Sequence, residues 1–193
     1  YRSEGDVFFN LALKGELSER KSPYISASFG CTNTTVYHPD YKTQIKKANL
    51  NGSFASPSAT DFTNAELFLR EIYGELNDQV FNANLSIRKF NDPYITFDFK
   101  GDLDAASIYN FYPISGVNDL RGLLSADISF EGQTSLLKKK ATVQKVTTSG
   151  AIVMSDLNFG YGKQQVQFKD VNGTLQFNNQ DLALSNVSGQ FEN

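Results

Sequence analysis

The chain has 193 residues, with 18 Lys and Arg against 21 Asp and Glu, for a formal charge of −3. A single Cys forbids an intrachain disulfide, a single His excludes multi-histidine metal sites, and the lack of a basic block argues against nucleic acid as the main partner. No apolar run approaches the roughly 18 residues of a membrane span, and 16 Phe, 9 Tyr and 14 Gly without any Trp lean toward β structure.

Alternation of apolar and polar residues runs through most of the chain. It marks segments at 6–17, 23–31, 43–54, 64–73, 79–90, 94–101, 121–132, 149–159 and 165–190, the last read as two strands. The clearest are Phe81, Ala83, Leu85 and Ile87 among Asn82, Asn84 and Ser86; Ile95, Phe97 and Phe99 among Thr96, Asp98 and Lys100; and Ala126, Ile128 and Phe130 among Ser125, Asp127 and Ser129. Successive side chains of a strand point to opposite faces, so each segment has one apolar and one polar side. Antiparallel sheets with one wet face read this way, whereas parallel sheets buried on both faces read as continuous apolar runs. The expected fold is mostly β: an elongated, curved antiparallel sheet with one or two short helices.

Two stretches depart from period two. Asp102 to Pro113 reads as a short helix, with Asp102 or Asp104 as N-cap, Ile108, Phe111 and Tyr112 on one face, and Pro113 as its stop. Ser135 to Val146, which holds Lys138, Lys139 and Lys140, reads as a cationic helix or a long loop.

The chain also resembles itself. Gln44, Ile45, Leu50, Asn51 and Gly52 match Gln165, Val166, Val171, Asn172 and Gly173 at a spacing of 121 (50 and 171). Leu67, Leu69, Ile72, Gly74 and Leu76 match Leu182, Leu184, Val187, Gly189 and Phe191 at a spacing of 115 (67 and 182). These are internal repeats at approximately 44–76 and 165–191. Pro23-Tyr24-Ile25 is echoed by Pro93-Tyr94-Ile95. Asn-Gly supplies the positive φ of a hairpin turn or a bulge. Stacked repeats extend a sheet along one axis, and both chain ends lie in or beside strands. The expectation is therefore that residues 1–193 form a single β-rich segment of a longer repetitive protein.

Candidate sites are sparse. Asp92, Asp98, Asp102 and Asp104 suggest carboxylate chemistry, yet they fall on a strand's polar face or at the helix cap and spell no calcium loop. His38 before Pro39 reads as a surface histidine in a turn, and Cys31 as a small buried apolar residue. The lysine triplet at 138–140 reads as a solvated face or as a contact for anionic head groups. There is no P-loop, dinucleotide fingerprint, nucleophile elbow or zinc-protease helix. The chain reads as non-enzymatic, without a cofactor or a catalytic or metal-binding residue.

The run Val171-Asn172-Gly173-Thr174-Leu175, followed by Leu182 to Gly189, resembles the C-terminal region of the AsmA family, which includes the TamB-like envelope proteins. So do Gly150 to Leu157 and Phe99 to Asp104. The resemblance spans about residues 80–193, and reaches the first third through the internal repeat. It implies a periplasmic segment of a protein anchored in the Gram-negative inner membrane, with a role in outer-membrane biogenesis or homeostasis and in phospholipid transport along a hydrophobic groove. Phospholipid and other envelope proteins would be the partners, and the membrane anchor would lie outside this segment.

On that reading Leu67, Leu69, Phe81, Leu85, Ile87, Ile95, Phe97, Phe99, Ile128 and Phe130 line the groove. The same stripe equally suits the closed core of a sandwich or barrel, packed on a second sheet or on the Asp104–Tyr112 helix. A cell-surface β-sandwich binding carbohydrate or protein is the alternative, with Tyr94, Tyr109 or Tyr161 as a sugar platform.

Overall fold

The computed structural model describes residues 2–16, 18, 22–38, 43–111, 113–138, 140–162 and 166–192. Ten strands follow one another: β1 (Arg2–Lys14), β2 (Tyr24–His38), β3 (Thr43–Ser56), β4 (Glu66–Leu76), β5 (Gln79–Arg88), β6 (Tyr94–Asp104), β7 (Val117–Gln133), β8 (Thr147–Tyr161), β9 (Val166–Asn178) and β10 (Leu182–Glu192). They form a single open antiparallel sheet in sequence order, each strand paired with its neighbours in the chain. The expected mostly-β fold is what the chain adopts, and the 165–190 stretch is indeed two strands, β9 and β10. It is one sheet, not the two facing sheets of a sandwich.

Helix α1 (Ala105–Phe111) follows β6 directly. Asp104 caps it, accepting from the Ser107 N–H at 2.9 Å and the Ser107 hydroxyl at 2.8 Å. The other possible cap, Asp102, lies within β6, and its carboxylate accepts from the Ser125 hydroxyl. Tyr112 and the Phe111 side chain lie outside the described residues. After β7 a 3-10 turn (Thr134–Lys138) and the four-residue helix α2 (Lys140–Val143) fill the stretch read as helix or loop. Lys138 is exposed there, whereas Lys139, like Pro39, lies outside the described residues.

Bulges mark seven of the ten strands. Asn33, Lys47, Glu71, Asp119, Asp156, Asp170 and Asn186 all have positive φ within β2–β4 and β7–β10, each where its strand gains a residue on its neighbour. The β5–β6 and β6–β7 ladders run unbroken between them. A bulge bends its strand and sharpens the twist. The asparagines of the two Asn-Gly pairs are not in turns: Asn51-Gly52 and Asn172-Gly173 sit inside β3 and β9, and the β4–β5 hairpin turns instead on Asn77-Asp78, both at positive φ.

Asparagine two residues after a bulge ties it down. The Asn172 amide donates to the Asp170 carbonyl at 2.8 Å while its Oδ1 accepts from the Asp156 N–H at 3.1 Å. Asn158 answers from β8, donating to the Asp156 carbonyl at 2.8 Å and accepting from the Asp170 N–H at 3.3 Å. Asn49 does the same in β3, with the Lys47 carbonyl at 3.0 Å and the Asn33 N–H at 3.1 Å.

This fixes how the repeated hairpins correspond. Lys47 and Asn49 occupy the places of Asp170 and Asn172, 123 residues on, while Leu69, Glu71 and Gly74 occupy those of Leu184, Asn186 and Gly189, 115 on. Structural equivalence in the first strand is thus two residues away from the spacing of 121 read in the sequence.

Buried apolar residues are few. Among the described residues they are Ala48, Ala65, Ala83, Ala105, Leu76, Leu120, Val146 and Leu157. Ala105, Leu120 and Leu157 form one cluster, packed by Tyr109, Val117, Leu124, Met154, Phe159 and Val171, where α1 meets the sheet. The surface area is 12884 Å², against about 9,100 Å² for a compact monomer of this mass. The excess is that of a sheet with a bare face.

Candidate functional site

Directly opposed residues of an antiparallel pair share a face, so the register traces the apolar surface row by row. One row runs Leu11, Ala27, Phe54, Leu67, Ile87, Ile95 and Gly132 across β1–β7. A second runs Phe9, Phe29, Gly52, Leu69, Leu85, Phe97 and Phe130. A third takes over in the later strands with Ala83, Phe99, Ile128, Gly150, Phe177 and Leu182, and a fourth with Phe81, Gly101, Ala126, Ile152, Leu175 and Leu184. All ten residues singled out in the sequence lie in these rows, on one face. Ten strands at a spacing of about 4.8 Å give that face a length of about 43 Å.

The ten are neither buried nor fully exposed; each is half-buried. Phe97, Phe99 and Phe81 shield one another, with Phe81 and Phe99 stacked at 6.1 Å and Phe97 and Phe99 at 6.4 Å. Glycine leaves room for the rings: a Cβ on Gly52 would come within 2.3 Å of the Phe29 ring. Helix α1 does not cover these rows, since none of the ten belongs to its packing cluster. One margin carries more aromatic surface. Phe62, from the β3–β4 connection, and Phe90, from the β5–β6 connection, meet Phe54 at 5.9 and 6.1 Å.

The apolar face runs beyond these ten residues to both edges of the sheet. Val7, Phe9, Leu11 and Leu13 of β1 and Leu182 and Leu184 of β10 continue the face and are 57–73% exposed. In β1 the alternation is blurred because Phe8, between Val7 and Phe9, points to the other side. Cys31 is half-buried rather than buried: it sits between Val7 and Leu50 on the apolar face, its thiol 3.6 Å from the Ala48 carbonyl.

The opposite face is polar. Ser129 donates to Asp98 at 2.9 Å, Tyr94 to Glu131 at 2.6 Å and Lys100 to Asp127 at 2.9 Å. The Glu131 carboxylate holds the Tyr94 phenol above its ordinary value, and hydrogen bonding to Asp127 raises Lys100. Phe68, also on this side, lies under the guanidinium groups of Arg70 at 5.1 Å and Arg88 at 5.4 Å.

The four aspartates are dispersed among separate hydrogen bonds. Asp92 accepts from Gln133 at 2.6 Å and from the Ser135 N–H at 3.1 Å, and the bond with Ser135 leads in lowering its pKa. No group of three His, Cys, Asp or Glu residues that could hold a metal occurs among the described residues. The three tyrosines weighed as a sugar platform stand apart: Tyr94 opens β6, Tyr161 closes β8, and Tyr109 is on α1, donating to the Val117 carbonyl at 2.7 Å. The His38 side chain lies outside the described set.

The arrangement is one open apolar face backed by a polar one. No family model, curated protein or solved structure matches the chain.

Proposed function

We propose that the chain is a non-enzymatic, lipid-bearing segment of an AsmA-like envelope protein, whose apolar face holds phospholipid acyl chains. The observation that carries this reading is the uncovered apolar surface crossing all ten strands. Acyl chains laid on it leave water at about 0.8 kcal/mol per methylene, while head groups stay in solvent at the margin. Movement along such a face needs no chemical step, which agrees with the lack of a catalytic motif in the sequence. The resemblance to AsmA-like proteins supports a periplasmic setting in a Gram-negative cell, a part in outer-membrane biogenesis, and phospholipid and envelope proteins as partners.

Native mass spectrometry of the chain purified from the periplasm of a Gram-negative host tests the reading. Phospholipid is expected on the wild type. It should be lost from Leu85→Lys, which puts a charge in the middle of the second row, and kept by Thr96→Lys on the polar face. A folded, lipid-free wild type would contradict the proposal.

A further inference from the structure

In a sheet whose antiparallel strands follow sequence order, the connections β1–β2, β3–β4, β5–β6, β7–β8 and β9–β10 all leave at one margin. Hydrogen bonds between successive connections tie that margin into a rim. The Ala59 N–H donates to the Ser22 hydroxyl at 2.8 Å. The Lys89 N–H donates to the Ala65 carbonyl at 3.0 Å, and the Thr134 N–H to the Pro93 carbonyl at 2.9 Å. The Thr148 N–H donates to the Asn179 side-chain oxygen at 2.5 Å.

The rim is apolar and cationic together. Phe62 and Phe90, 45% and 38% exposed, stand on Phe54 of the first apolar row. Val146 is buried over Gly132, in the same row, where an added Cβ would stand 2.7 Å from Val146 Cγ1. The 134–146 connection therefore leans onto the apolar side of the sheet. It leaves Leu137 and Val143 47% and 42% exposed, and it holds Lys138, Lys139, Lys140 and Lys145 with no Asp or Glu. Lys138 and Lys145, like Lys89, are exposed and pair with no carboxylate among the described residues. Asp92, beside this connection, directs its carboxylate to Gln133 and the Ser135 N–H instead.

Exposed apolar side chains set among unpaired lysines match the interface of an anionic bilayer, where lysines meet phosphates and apolar groups pass between the heads. An acidic protein surface would answer the lysines but not the four apolar side chains. We propose that this rim docks on a membrane surface that carries anionic phospholipid. Docking there sets the first apolar row, the one nearest the rim, against the bilayer. It uses the rim side chains alone and so stands apart from whether the face holds acyl chains.

Flotation with phosphatidylcholine vesicles, with and without phosphatidylglycerol, tests the proposal. The wild type should float with the mixed vesicles and stay behind with phosphatidylcholine alone. A lysine near an anionic surface contributes about fivefold in affinity, so Lys138→Gln with Lys145→Gln should weaken binding about thirtyfold. Lys46→Gln with Lys169→Gln removes the same charge near the opposite margin and should bind as the wild type does. Leu137→Ser with Val143→Ser, at two exposed positions, should weaken binding about tenfold. A wild type that stays unbound, or that floats equally well without phosphatidylglycerol, would overturn docking. So would a rim variant of either kind that binds no more weakly than the Lys46 and Lys169 pair. A wild type that floats yet carries no phospholipid in native mass spectrometry contradicts the lipid-bearing face alone, and one that carries phospholipid without floating contradicts docking alone.

Discussion

Asn172 illustrates how much a single side chain organises here. It spans the bulges of two strands, satisfying the Asp170 carbonyl in its own strand and the Asp156 N–H in the next. A net hydrogen bond contributes about 1 kcal/mol, so Asn172→Ala should cost about 1–2 kcal/mol. For a chain of this length that lowers the melting temperature by roughly 2–8 °C. Asn158 is its reciprocal partner, and the double substitution should cost less than the sum of the two single ones, because neighbours in one network are not additive. Thermal melts of the three variants check both expectations. The asparagine content of the chain and its Asn-Gly pairs are visible in the sequence. Their role is not, because a bulge staple exists only once the neighbouring strand is in register. Positive φ at Lys47 and Glu71 is hidden for the same reason: neither residue type announces a bulge.

The elements were largely legible because period two is a local signal. Phe81 to Ile87, Ile95 to Phe99 and Ala126 to Phe130 alternate cleanly, and they form the three central strands with unbroken ladders. The α1 helix was legible from its acidic cap and its proline stop. Asp102 and Asp104 share the same spacing rule, so only the hydroxyl and N–H of Ser107 decide between them. The strands run longer than their patterns, as β2 does from Cys31 to His38, because pairing with β3 carries a strand past its apolar positions. What α1 contributes is the one cluster of buried apolar residues among the described residues. Leu157 lies within it at 6% exposure, against Ala105 and Leu120, so Leu157→Ala should cost about 2–5 kcal/mol. Truncating Leu85, on the bare part of the same face, should cost much less. Chemical denaturation of the two variants measures the contrast, and equal losses would mean that the face is covered in solution.

For the whole molecule, the property that matters was the least legible. Alternation assigns Phe97 to one side of a strand and Thr96 to the other, but it reads the same whether the apolar side meets a second layer or water. What separates the two cases is long-range: the sequential strand order, the single sheet, and a surface of 12884 Å² where a compact monomer shows about 9,100 Å². An open face of that extent is too large to be incidental in a soluble monomer, and acyl chains or further sheet would satisfy it.

The absence of tryptophan from the chain allows the most direct measurement of whether acyl chains lie there. Phe97→Trp puts a single reporter in the middle of the apolar face, and Thr96→Trp puts one on the polar face at the adjacent position. Phospholipids brominated along their acyl chains quench tryptophan only in contact. The fluorescence of Phe97→Trp should fall on addition of such lipid, while that of Thr96→Trp stays unchanged. Equal quenching at both positions, or none at Phe97→Trp in the folded protein, would contradict a lipid-bearing face.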